Sequence, residues 1–335
     1  MPPQRATLFP AAADAIVRVD GRARQAREIE TELTPALIEA LNAWTESAAA
    51  MSLEILLARP YSSGLVVLAH APQDLARDAV EIMGRTHALL DGLLPAVPES
   101  EATAVLAIVL DEDAVAVSWR PLLDHLVAER LLLGNQAARL QSDPQGVLLR
   151  KVPMFLQPTW DIAAEGEFAL GNEIAHKTAQ CLVTQRAGEL PMNLLWGLGE
   201  LAEQQLYGNV YQFNATGFVA TADHFDWPQR ARQHIENRYR KPGFTFSALA
   251  LDDRQAGIAS LPQMVTWAVL AHLADEAPAT LKSVLAELGA LHAAQDRSGR
   301  ATLYRGDAER TRAVLQEHFD ALDPERVMSW LRSRR

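Results

Sequence analysis

Cysteine is almost absent from this chain of 335 residues, which contains Cys181 and no other. A single cysteine excludes an intramolecular disulfide framework, and it also excludes a zinc site built from several cysteines. The neighbours of Cys181 are Leu182 and Val183, so we expect a buried, unreactive thiol. This cysteine usage fits a reducing compartment, and we expect a cytoplasmic protein.

Long hydrophobic runs are absent as well. No stretch approaches the roughly 20 apolar residues that a membrane-spanning helix needs, and the N-terminal segment lacks the apolar region of a secretory signal. The formal net charge of −11 disfavours nucleic acids and anionic membranes as partners. The sequence gives no indication of an oligomeric state.

Several catalytic motifs are missing. The chain has no G-x-S-x-G nucleophile elbow, no G-x-x-x-x-G-K-[ST] phosphate loop and no G-x-G-x-x-G dinucleotide motif. A di-iron helix bundle needs two Glu-x-x-His pairs, whereas only Glu173 to His176 has this spacing. These absences leave one pattern that could carry chemistry.

Hydrophobic periodicity predicts a strand, a helix and a second strand in the first half of the chain, followed by helices. The predicted first-half elements are an irregular lead-in over residues 1–30, a helix opening at Thr34 and Pro35, a strand over Leu65–Ala69, a helix over Asp74–Leu94, a strand over Ala104–Leu110, a helix over Leu122–Arg139, and edge strands within Gly146–Val152 and Met154–Leu156. The predicted second-half helices are Glu167–Val183, Pro191–Tyr207, Met264–Leu273, Leu281–Leu288 and a terminal pair spanning His318 to Trp330.

The remaining pattern is Asn172-Glu173-x-x-His176 in the first of these helices. In H-E-x-x-H, two histidines four residues apart lie on one helical face and bind zinc, and the glutamate acts as general base. Asn172 stands where the first histidine would be, so one zinc ligand is missing.

A second pattern lies in the following helix, which reads Trp196-Gly-Leu-Gly199-Glu200-Leu-Ala202-Glu203. Gluzincins usually have a tryptophan followed three residues later by a zinc-binding glutamate and then by glycine. Here Gly199 occupies the ligand position and Glu200 the glycine position. At about 100° per residue, Glu200 points well away from the direction that Gly199 faces.

Together these residues resemble the gluzincins, the thermolysin-like and peptidase MA-like metallopeptidases. The resemblance spans roughly residues 61–331 and implies an α+β, zincin-like fold of two lobes. One lobe would hold a small mixed sheet and the other would be mostly helical. The implied organisation is an N-terminal arm and helix over residues 1–60, an α/β lobe with an edge strand over 61–160, and a helical lobe over 161–331.

The altered residues imply that the family's reaction is lost. Asn172 and Gly199 stand at lost ligand positions, His176 is a vestigial ligand, and Glu173 is a vestigial general base. Without zinc to activate water, hydrolysis by the family's mechanism should fail. We therefore expect a pseudo-peptidase without a cofactor, whose cleft binds a peptide or protein for scaffolding or regulation.

The alternative is an active zinc metallopeptidase with a non-standard ligand set. In that case Glu200, Glu203 or His224 would join His176 and Glu173 at the metal. Restoring the standard site would require Asn172→His together with Gly199→Glu.

Two further stretches suggest contacts with partners. Tyr211, Phe213 and Asn214 follow the second helix, where gluzincins place pocket-forming loops, so these residues are candidates for peptide contact or for loop packing. A basic cluster is either a solvated helix face or a contact for an acidic partner. Its members are Arg230, Arg232, Arg238, Arg240 and Lys241.

Overall fold

A computed structural model describes residues 10–97, 102–149, 152–159, 169–188, 190–211, 213–214, 217–218, 227–252, 261–296 and 308–334. The chain divides into two compact units. Unit 1 comprises Met1–His87 and Val97–Ile162, and unit 2 comprises Ala88–Ala96 and Ala163–Arg335. The described elements are α-helices and a mixed β-sheet, which confirms the α+β class.

Unit 1 contains a sheet of seven strands in the order β2-β1-β3-β4-β5-β7-β6. The strands are β1 Ile16–Val19, β2 Arg22–Gln25, β3 Glu54–Leu57, β4 Leu65–His70, β5 Val105–Leu110, β6 Val147–Leu149 and β7 Met154–Pro158. Strands β4, β5 and β7 are parallel, with Leu68 opposite Ile108 and Ile108 opposite Leu156. Their residues are apolar at nearly every position and are almost all buried, which is typical of parallel strands inside a protein.

The helices of unit 1 are α1 Pro10–Ala13, α2 Pro35–Ala50, α3 Gln73–Asp91, α4 Glu112–Ala128 and α5 Gly134–Ser142, and the last residues of α3 belong to unit 2. Helix α2 begins as predicted, because the Thr34 side chain accepts the N–H of Leu37 and Pro35 tolerates the first helical position. Buried side chains of α2 and α4, including Leu37, Leu41 and Leu122, share a core with the sheet.

The single helix expected over Leu122–Arg139 is wrong, since α4 and α5 are separate helices. The acidic residues after β5 form the start of α4, ahead of the expected start at Leu122. Asp111 accepts the N–H of Ala114 at 2.8 Å, which makes it the N-cap. Helix α4 ends before Arg130, whose positive φ of 59° is incompatible with a continuing helix.

The expected irregular lead-in over residues 1–30 is also wrong where the structure describes it. Strands β1 and β2 form an antiparallel hairpin within the sheet, and Val17 and Val19 are buried. The hairpin turns at Asp20 and Gly21, whose φ values of 51° and 74° suit a two-residue turn. Asp-Gly between alternating residues was the signal for this hairpin.

Unit 2 is mostly helical. Its helices are α6 Leu170–Ala187, α7 Met192–Tyr207, α8 Trp227–Arg238, α9 Phe246–Ala250, α10 Leu261–Glu276, α11 Pro278–Asp296, α12 Ala308–Phe319 and α13 Pro324–Arg332, with a hairpin of β8 Phe213–Asn214 and β9 Gly217–Phe218. Helix α10 is buried on all sides from Pro262 to Leu273, and its Trp267 packs edge-on against Trp227 with ring centroids 5.5 Å apart. Within these ranges, no helix is both long and apolar enough to cross a membrane.

Candidate functional site

Helices α6 and α7 lie side by side and carry the residues that resemble a zinc site. Helix α7 follows Pro191 and ends at Gly208, whose φ of 76° is the left-handed conformation that commonly terminates helices. Gly199 of α7 is directly beside the His176 ring of α6, since a β-carbon at this position would lie 2.7 Å from Cε1. The absence of a side chain at position 199 therefore lets the imidazole pack against the backbone of α7.

The Glu203 carboxylate is the centre of the site. It is only 1% exposed, and three groups contact its oxygens. His176 Nδ1 lies 2.7 Å from Oε1, while the Asn172 side-chain amide donates to Oε2 at 3.0 Å. The backbone N–H of Tyr211 also donates to Oε2, at 2.7 Å. Asn172 and His176 of α6 and Glu203 of α7 thus form one hydrogen-bonded cluster.

Helix geometry explains why Glu203 can contact Asn172 and His176. It lies four positions after Gly199, so the two residues are about 40° apart around the helix. Glu200 is about 100° from Gly199, and its buried Oε1 accepts a hydrogen bond from the Gln263 side chain of α10. Glu200 therefore contacts Gln263 of α10, whereas Glu203 contacts His176 of α6.

Both ring nitrogens of His176 have protein partners. Nδ1 faces Glu203, and Nε2 lies 2.9 Å from the Gln180 side-chain nitrogen. In the neutral ring, Nδ1–H donates to Glu203 and Nε2 accepts from Gln180. Protonation places a hydrogen on Nε2 as well, so the Gln180 amide must then turn its oxygen toward the ring.

The charge state of His176 reflects opposing effects. Burial lowers its pKa, but the hydrogen bond with Glu203 and the negative charges of Glu203 and Glu200 together outweigh burial. The pKa of His176 is consequently raised above its ordinary value. The imidazolium form supplies a positive charge next to two buried carboxylates.

Glu173, the candidate general base, forms an ion pair with Lys177 one turn later on α6. The side chains are 17% and 10% exposed, so bulk water screens this pair little. An ammonium group at the carboxylate stabilises its charge and competes with any water molecule for its oxygens. The ion pair with Lys177 therefore disfavours Glu173 as a general base.

The remaining candidates lie in different settings. Tyr211 is buried, and its backbone N–H binds Glu203. Phe213 and Asn214 form β8, but their side chains fall outside the described residues, as does the whole of His224. The sequence analysis missed two residues of the network, Gln180 and Asn209. Gln180 contacts His176, and the side-chain oxygen of Asn209 accepts a hydrogen bond from Asn172 at 3.2 Å. Gln180 was detectable as the residue one turn after His176.

The predicted basic cluster lies in and after α8. Arg238, Arg240 and Lys241 are exposed, Arg232 pairs with Glu236 at 3.5 Å, and Arg240 donates to the Tyr239 hydroxyl at 2.7 Å. These local contacts with acidic and polar groups are typical of a solvated helix face.

A catalytic zinc site in a gluzincin needs two histidines, a carboxylate and a position open to water. The residues present do not fit this ion. Because a carboxylate only accepts, the Asn172 amide turns its nitrogen to Glu203 and directs its oxygen elsewhere. His176 uses both nitrogens within the protein. A metal would have to break these contacts, and of the described residues in this hydrogen-bonded cluster it would gain His176 and Glu203 as strong ligands.

Gly199→Ala should destabilise the protein by about 1–3 kcal/mol, because the new methyl group collides with the His176 ring. Gly134→Ala is the matched control, since a β-carbon there meets nothing within 4 Å. The cost of Gly199→Ala should shrink when His176 is also replaced by alanine, and urea unfolding of the four variants in the cycle measures this coupling. If Gly199→Ala lowered the free energy of unfolding equally with and without the His176 side chain, the His176 ring would not lie beside position 199.

His176→Gln should remove a pH-dependent contribution to stability. A histidine with a raised folded pKa contributes fully below its unfolded pKa of about 6.5, and this contribution is lost as pH rises through the folded pKa. The difference in unfolding free energy between wild type and His176→Gln should therefore decrease above about pH 6.5.

His272→Gln is a control for which the opposite pH dependence of stability is expected. Burial lowers the pKa of His272, with Glu276 opposing and Arg326 reinforcing that effect. The wild-type advantage over His272→Gln should therefore decrease as pH falls below about 6.5. An advantage over His176→Gln that stays constant or grows with rising pH would contradict the assigned contacts.

The chain matches no protein-family model and no curated protein.

Proposed function

We propose that this protein is a pseudo-peptidase: a gluzincin-like chain that does not hydrolyse peptides and instead binds a peptide or protein. In this proposal the two helices of the former metal site are held together by a buried hydrogen-bond network. The protein acts in scaffolding or regulation, without a metal at this site.

The observation that carries the proposal is the pairing of Glu203. Its carboxylate contacts His176, Asn172 and the Tyr211 N–H, all at 3.0 Å or less. Removing one partner from a buried, paired charge typically costs about 3–5 kcal/mol. The network therefore has a structural role of its own and disfavours release of Glu203 to a metal.

The catalytic side of the proposal rests on Glu173 and Asn172. A general base must lie within hydrogen-bond reach of the water that it activates, but Glu173 contacts Lys177. Zinc would supply the Lewis acid that brings the pKa of bound water near neutrality. Asn172 offers a neutral amide where the standard site has an imidazole, so the site lacks a ligand for that ion.

Peptide binding is supported by the edge of the sheet in unit 1. Strand β6 is the last strand in the order and pairs antiparallel with β7 on one side. Val147 and Leu148 are half-buried, and no described strand covers the outer side of β6. An extended peptide can add to such an edge through main-chain hydrogen bonds, as the resemblance to gluzincins implies.

One observation favours the alternative of an active zinc peptidase, namely the contact of 2.7 Å between His176 and Glu203. Two residues able to bind zinc already touch. This alternative requires them to exchange their present partners for the metal and to recruit a further ligand, for which His224 remains a candidate.

Asn172→His tests both accounts. It places two histidines four residues apart opposite Glu203, so zinc affinity should rise by at least about 10–100-fold over wild type. Gly199→Glu should be omitted, because its β-carbon would collide with His176. Calorimetric titration with zinc measures the gain, and Gln141→His on the exposed face of α5, which has no histidine three or four residues away, is the control for adding a histidine.

The same preparations should be assayed for cleavage of a mixed peptide substrate with added zinc. Wild-type protein should show no cleavage that depends on His176 and Glu203. Zinc-dependent cleavage by wild type that disappears in both His176→Gln and Glu203→Gln would reject the pseudo-peptidase proposal. No gain of affinity in Asn172→His would reject the resemblance of the helix pair to a gluzincin site.

Proline substitutions in β6 test the peptide edge. The N–H groups of successive strand residues point to opposite sides, so one of Val147→Pro and Leu148→Pro removes an outward donor and preserves the pairing with β7. That variant should fold normally and lose binding to peptides selected from a displayed library of extended decapeptides. Ala23→Pro and Arg24→Pro in β2, at the opposite edge, are the controls. Unchanged binding in the β6 variant that folds normally would exclude this edge.

A further inference from the structure

Three side chains capable of binding a metal converge at the pairing of α11 and α12, apart from the residues of the α6–α7 site. They are Glu287 of α11 and the consecutive residues Glu317 and His318 of α12. One ligand atom from each lies within 4.8 Å of the other two. His318 Nε2 lies 3.0 Å from Glu287 Oε1.

We propose that Glu287, Glu317 and His318 form a binding site for a divalent transition-metal ion, with zinc as the representative. The site shares no residue with the α6–α7 pair and does not depend on the function proposed above. It would link α11 to α12 by coordination.

The ligand types select the class of ion. Imidazole nitrogen together with carboxylate oxygen suits zinc and its transition-metal neighbours, whereas calcium and magnesium prefer ligands that are all oxygen. Two carboxylates balance the charge of a divalent cation. Three protein ligands leave room for water, which is the arrangement of an open zinc site.

The three side chains would need to move little to bind a metal ion. Ligand atoms at zinc distances of about 2.0–2.2 Å lie roughly 3.3 Å apart in a tetrahedral site. The separation of 3.0 Å between His318 and Glu287 is already close to this value. Glu317 is exposed, so rotation of its long side chain can shorten the remaining separations, which are at most 4.8 Å.

The two nearer ligands are held by the protein. The Ser283 hydroxyl donates to Glu287 Oε1 at 2.9 Å, which orients the carboxylate. His318 is 18% exposed and lies beside Phe319, which is fully buried and anchors α12. Ligands on packed helices keep their positions better than ligands on loops.

Titration of the full chain with cobalt(II) and then zinc tests this site. Cobalt absorption in the visible range reports nitrogen and oxygen coordination, and zinc should displace one equivalent. His318→Gln and Glu287→Gln should each weaken binding by more than about 10–100-fold, whereas His176→Gln and His234→Gln should leave it unchanged. Zinc should also raise the melting temperature of wild type and not that of His318→Gln.

Each outcome separates the two sites. Absence of cobalt or zinc binding by wild type would show that His318 and Glu287 form only an interhelical hydrogen bond. Binding that survives His318→Gln but is lost in His176→Gln would overturn the proposed site and assign the metal to α6 and α7. Circular dichroism of every variant confirms that loss of binding does not reflect unfolding.

Discussion

The buried negative charge of Glu203 is the constraint on which the rest of the candidate site depends. A carboxylate that is 1% exposed costs several kcal/mol to bury unless positive or donor groups surround it. His176, Asn172 and the Tyr211 N–H provide those groups, and Gly199 leaves the space in which His176 can approach. In a zinc peptidase the cation compensates this kind of charge. Here the raised pKa of His176 allows an imidazolium to compensate it.

Much of the fold could be predicted from local sequence patterns. The continuous apolar runs of β4 and β5 and the Thr34-Pro35 start of α2 are strong signals, and the structure has these elements within a few residues of the expected bounds. The hairpin of β1 and β2 was missed because each strand has four residues and β2 is rich in arginine. Its place in the sheet depends on pairing between β1 and β3, which joins Val17 to Ile55 across a long stretch of chain. The break between α4 and α5 was missed because the apolar rhythm continues past it.

The site was predictable in its parts but not in its connections. The spacing of Glu173 and His176 singled out α6. The 100° rotation between Gly199 and Glu200 indicated that Glu200 points away from the direction of Gly199, and Glu200 contacts Gln263 of α10. The choice of Glu203 over the other candidates depends on how closely α6 and α7 approach, which follows from packing at Gly199. Local spacing places Gln180 one turn after His176, but it cannot show that Asn209 contacts Asn172, because Asn209 lies beyond the end of α7. The ion pair of Glu173 with Lys177 follows the common four-residue helix spacing and was open to prediction.

The proposed metal site at Glu287, Glu317 and His318 means that zinc content alone does not describe the state of α6 and α7. The ring nitrogens of His176 report that state directly. In long-range ¹H–¹⁵N correlation spectra of the assigned histidine rings, addition of one equivalent of zinc should leave both His176 nitrogens unchanged. A zinc-induced shift of His176 Nδ1 or Nε2 characteristic of coordination would contradict the account, since it would show that a metal displaces Glu203 or Gln180 from the ring.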